Sequence, residues 1–143
     1  MKKLLFIATV LSTVLSFTSC NEDAPIPMIW EFSNYDREAV SAVYAPDFVN
    51  QVAITASPDY SGDITLKCTN YRQVSIIPDY VTGTSDNVEV GYTVSKIDDT
   101  TIKVTFKPIE KATDESIYGH VIIEGINGRD TNSTNISIGR VKK

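Results

Sequence analysis

From residue 29 onward, apolar and polar side chains alternate with a period of two, and turn residues interrupt the pattern about every ten positions. Side chains on an extended strand point to opposite faces in turn, so this pattern makes ribbons with one apolar face and one wet one. The runs are 29–33 (Trp30 and Phe32 on one side), 39–44, 50–56 (Val52, Ile54, Ala56), 63–69 (Ile64, Leu66, Cys68) and 73–77. Residues 88–97 and 101–107 read as a hairpin across Asp98-Asp99-Thr100, with Val88, Val90, Tyr92 and Val94 matched by Ile102, Val104 and Phe106. The longest apolar run, 117–126, turns back at Asn127-Gly128 into 134–141, where Ile136 and Ile138 are in phase. Residues 108–116 break the alternation and have room for one helical turn.

No segment carries helical periodicity over a helical length, so parallel strands joined by crossover helices are excluded. About eight short strands with turns between them predict an all-β fold: an antiparallel two-sheet immunoglobulin-like sandwich of about 7–9 strands over residues 28–143. An open or closed barrel is the alternative. Pro46-Asp47-Phe48, Pro58-Asp59-Tyr60 and Pro78-Asp79-Tyr80 share turn chemistry, because Pro sets φ and Asp caps the bend.

The first residues have a different logic. Lys2 and Lys3 precede an apolar stretch, 4–17, which ends in Phe17-Thr18-Ser19-Cys20 and the polar Asn21-Glu22-Asp23. The run is shorter than the roughly 20 residues a spanning helix needs, and its layout is that of a removable secretory signal. Phe17-Thr18-Ser19-Cys20 resembles the lipobox of bacterial lipoproteins, with Phe17 where that family usually carries Leu. The resemblance implies cleavage after residue 19, lipidation of Cys20 and attachment to the membrane through the lipid. Glu22 and Asp23 resemble the acidic export signal of Bacteroidetes lipoproteins, which implies an outer-membrane location facing the cell exterior; an acidic solvated tether is the other reading. Residues 20–27, with Pro25 and Pro27, form an extended linker. Losing Lys2 and Lys3 with residues 1–19 takes the net charge from -5 to -7, which disfavours nucleic acid as a partner.

Few residues offer chemistry. His120 is the only imidazole and sits mid-strand on the face of Ile122, Glu124 and Ile126, so no triad or zinc set can be assembled around it from sequence. Cys68 is in phase with Ile64 and Leu66 and reads as a small buried hydrophobe. Asp98-Asp99, Asp114-Glu115 and Asp130 lie in turns and lack the ligand spacing of a calcium loop. Neither a catalytic residue, a metal nor a cofactor is assigned. Tyr60 and Tyr80 beside aspartates, and Tyr71 beside Arg72, have the residue types that stack on and hydrogen-bond a sugar; tyrosines that close the ends of a sandwich core are the competing reading. Asp99-Thr100-Thr101 resembles the O-glycosylation motif of exported Bacteroidetes proteins, which implies glycan on Thr100.

The stretch 121–128 followed by Ile136-Ser137-Ile138 resembles the last hairpin of immunoglobulin-like modules in Bacteroidetes surface lipoproteins, including the BACON type; Trp30 is the only tryptophan here, whereas BACON strands are rich in it. The resemblances imply a non-enzymatic binding module for glycan or protein, accessory to polysaccharide uptake, or alternatively a structural or assembly component of an envelope complex.

Overall fold

The computed structural model describes residues 26–45, 50–78, 84–109 and 116–142. The expected lipidation at Cys20, the acidic pair Glu22 and Asp23, the ligand candidate Tyr80 and residues 110–115 lie outside them. Within them the fold is all-β. The strands are β1 (Trp30–Ser33), β2 (Val40–Ala45), β3 (Gln51–Ala56), β4 (Gly62–Cys68), β5 (Gln73–Ile77), β6 (Asp86–Asn87), β7 (Tyr92–Lys96), β8 (Thr101–Phe106), β9 (Ile117–Asn127) and β10 (Asp130–Arg140).

They form two five-stranded sheets, in the orders β1-β4-β8-β7-β6 and β2-β3-β10-β9-β5. Taking β1, β4, β8 and β7 as A, B, E and D, and β5, β9 and β10 as C, F and G, reproduces the immunoglobulin arrangement of strands. The two-sheet sandwich read from the alternation is therefore what forms. Two details go beyond that reading. β6 is a two-residue addition to an edge, and β3 runs parallel to β10, with Ile54 opposite Ile138; every other ladder is antiparallel.

The core lies where the in-phase residues of both sheets meet: Ile54, Ile64, Leu66, Ile102, Val104, Ile123, Ile136 and Ile138 are all buried. Each such side chain contributes about 1.5–3 kcal/mol by leaving water. The 127–130 reversal is centred one residue later than expected, on Gly128 and Arg129, with Gly128 at φ 69°.

The expected strand 88–97 is corrected at its start. The Asn87 side chain accepts a hydrogen bond from the Val90 N–H (3.0 Å), its carbonyl accepts from the Gly91 N–H (2.9 Å), and Gly91 takes φ 72°. This local closure outcompetes strand extension, and Val88 is thrown into solvent.

Candidate functional site

Each end of the sandwich has its own construction. At one end the chain enters the fold along residues 26–30. Met28 is buried there, and Asn70 pairs with the incoming backbone as a strand would, accepting from the Ile29 N–H (2.8 Å) and donating to the Pro27 carbonyl (2.7 Å). The Tyr71 hydroxyl (2.7 Å) and the Asn132 amide (2.9 Å) both donate to the Ile26 carbonyl, and the Tyr44 hydroxyl donates to that of Met28. The Trp30 indole crosses between the sheets to donate to Thr134 Oγ1 (2.9 Å).

At the opposite end stands Arg140, fully buried at the close of β10. Its Nε donates to the Val90 carbonyl (2.9 Å), one terminal nitrogen donates to those of Ser57 (2.8 Å) and Tyr60 (2.9 Å), and the other to those of Gly91 (3.0 Å) and Lys107. All five N–H groups of the guanidinium thus meet backbone carbonyls, and its Cζ lies 4.7 Å from the Phe106 ring centroid. Burial pushes its pKa down, partly opposed by the charge of Asp59.

Two grooves flank this arginine. The larger, about 660 Å³, is lined by Asn87, Val88, Gly91, Lys107, Ile109 and Ile117, with Asp86 and Glu89 on its rim; its size falls in the range of ligand clefts. The smaller, about 390 Å³, lies between the 35–39 loop and the ends of β2 and β3. Here the Arg37 guanidinium lies 5.8 Å from the Tyr35 ring centroid, beside Glu38. Arg140 braces a wall of each: Ser57 belongs to the smaller groove, Gly91 and Lys107 to the larger.

Of the tyrosines singled out from sequence, Tyr60 and Tyr71 lie at opposite ends of the sandwich. Tyr60 packs edge-on against Phe106 at the Arg140 end, with ring centroids 5.8 Å apart, whereas Tyr71 is buried at the entry end with its hydroxyl committed to Ile26. Arg72 is exposed beside Tyr71. The pair that does combine a ring with a guanidinium, Tyr35 and Arg37, was missed because it sits in an irregular loop. Its signal was an aromatic two residues from an arginine, between two strand runs.

The remaining candidates are separate from the grooves. His120 is exposed on the outer face of β9, opposite Ser137. Cys68 is buried, its thiol donates to Asn70 Oδ1 (3.6 Å), and desolvation pushes its pKa up, so it is held as the un-nucleophilic thiol. Thr100 sits in the β7–β8 turn at the entry end, its N–H (2.9 Å) and hydroxyl (3.4 Å) both donating to Asp98 Oδ1; the Thr100 N–H first and the Thr101 hydroxyl next hold the Asp98 carboxyl below its ordinary value. Among the described residues no group of three or more His, Cys, Asp or Glu side chains is placed to hold a metal ion, and no helix is long and apolar enough to cross a membrane.

Fold and site together define an immunoglobulin-like two-sheet β-sandwich with paired grooves at one end. No family model, curated protein or solved structure matches the chain.

Proposed function

We propose that this chain is a non-enzymatic, lipid-anchored outer-membrane protein facing the cell exterior, whose sandwich binds glycan at its Arg140 end. One observation carries the reading: both grooves open at the end opposite the one where residues 26–30 enter. A chain tethered through Cys20 would hold that end away from the membrane, where a bulky external ligand has access.

The chemistry of the grooves agrees with a hydroxyl-rich ligand. Tyr35 supplies a ring face, while Arg37 and Glu38 supply a donor and an acceptor beside it. Among the described residues a buried high-pKa thiol and a single outward imidazole offer no activated nucleophile near either groove, which favours binding over turnover.

Affinity electrophoresis of the full chain through gels cast with bacterial and plant polysaccharides tests the ligand. Retardation by at least one polysaccharide, abolished by the double change Tyr35→Ala and Arg37→Ala, is the expected result; free migration through every gel rejects glycan binding. The anchor is tested separately by mass spectrometry of the native protein, which should find acyl groups on Cys20, and by protease treatment of intact cells, where complete protection would reject the exterior location.

A further inference from the structure

The outer faces of the two sheets differ in a way neither the core nor the grooves require. On the β1-β4-β8-β7 sheet, the outward positions carry charge and threonine: Glu31 faces Lys67 across the ladder, and Lys103 lies 3.7 Å from Asp63. This is a water-facing surface. On the β2-β3-β10-β9-β5 sheet, Val43, Tyr118, Ile122 and Ile77 are 56%, 50%, 43% and 38% exposed, and His120 and Glu124 are the only Lys, Arg, His, Asp or Glu side chains that face outward from its strands, all of them described. A chain of net charge -5 has left one broad face almost without charge.

On that face Ile122 and Ile77 sit directly opposite each other on β9 and β5 and form an apolar pair. The neighbouring strands β3 and β10 present Gln51, Ala53 and Thr55 beside Asn135 and Ser137, with the Tyr118 ring lying over Gly139. A two-fold axis running along the strands, between β9 and β10, sets each register level opposite the same level of the other copy, so the Ile122–Ile77 pair of one copy meets the Asn135–Gln51 level of the other, and the same operation seats the partner's pair in return. Such an isologous pairing closes on itself as a dimer.

We propose that a second copy of this chain covers the outer face of the β2-β3-β10-β9-β5 sheet. Charge selects this occupant: two acidic chains repel over most of their surfaces, and this face is where they approach with little repulsion. Area permits it. Five strands at ~4.8 Å spacing and about eight residues of β9 at ~3.3 Å each cover roughly 600 Å² per copy, at the lower limit of specific interfaces, about 1,200 Å² in total. The axis along the strands also leaves both residue-26 ends pointing the same way, so two copies held in one membrane can pair, a consequence that rests on the lipid-anchored reading. Pairing itself does not use the grooves, so loss of glycan binding and loss of pairing are separable.

Sedimentation equilibrium of the full chain in mild detergent tests the pairing, with far-UV circular dichroism confirming the fold of each variant. The unaltered chain should sediment as a dimer at high concentration. Ile122→Glu and Ile77→Glu should each give monomer, because the new carboxylate is taken out of water at the pairing face. Thr105→Glu, on the outer face of the other sheet, should leave the dimer intact. A monomeric unaltered chain, a dimer that survives both glutamates, or a dimer broken equally by Thr105→Glu would overturn the proposal. So would cross-linking in native membranes that joins this face to a different protein and never to a second copy.

Discussion

The two ends of the sandwich solve the same problem by opposite means. Both must tie one sheet to the other where the strands stop and backbone groups lose their ladder partners. The entry end distributes the task over Asn70, Tyr71, Asn132, Tyr44 and Trp30, each a neutral donor making one or two bonds. The groove end concentrates it in Arg140, whose five donors serve carbonyls from three segments of chain. A distributed tie loses little when one member goes. A concentrated one loses all its bonds together and leaves buried carbonyls unpaired, each costing about 1–3 kcal/mol.

The sharpest way to break this contrast is Arg140→Met, which should cost about 4 kcal/mol in urea denaturation and loosen both grooves. Arg140→Lys should recover only part, since an ammonium has three donors and no planar fork. A loss below about 1 kcal/mol would mean that water replaces the guanidinium and that the end is not concentrated at all. Next in size is Gly125→Ala at the entry end. The added methyl would lie 2.8 Å from Met28 Cε and 2.9 Å from the Tyr71 ring, costing about 2 kcal/mol by overpacking. An unchanged thermal midpoint would show that Met28 and Tyr71 yield freely.

Tyr71→Phe removes one bond of the distributed set and should cost about 1 kcal/mol, with polysaccharide retardation untouched; loss of retardation would disprove the separation of the ends. The smallest effect concerns Asp98. Its carboxyl pKa is lowered by the Thr100 N–H first and by the hydroxyl of Thr101 next. The stabilisation is therefore complete above the unfolded-state value and disappears as pH falls through the folded one. Protection of the Thr100 amide, taken relative to its intrinsic exchange rate, should fall across that acid range and lose this dependence in Asp98→Asn; a profile identical in both proteins would remove the turn's carboxylate from the account.

Alternation made the core legible because residues such as Ile64, Leu66, Ile136 and Ile138 have no other use for their phase. Where polar residues occupy inward positions the same code goes silent. The strand 134–141 begins at Asp130 in the structure, because Asn132 and Thr134 take inward positions to serve Ile26 and Trp30. Arg140 shares its phase with Ile136 and Ile138, so its burial was written in the pattern, but charge argues against burial until five carbonyls are known to converge on it. The parallel β3–β10 ladder was beyond reach, since nothing local marks a pairing between residues some eighty positions apart. The placement of the tyrosines was out of reach for a related reason: sequence puts Tyr60 and Tyr71 in turns, and only topology assigns those turns to opposite ends.

The position of β10 has a consequence for biogenesis. It is the last described strand to leave the ribosome, yet it occupies the middle of its sheet, bonded to β3 on one side and β9 on the other. Until residue 140 has emerged, the hairpin of β2 and β3 has no partner to join and β9 has one bare flank. The strands of the other sheet have all emerged by residue 106, but the sheet that contains β10 closes only at the end of synthesis, so the final step of folding joins segments far apart in sequence.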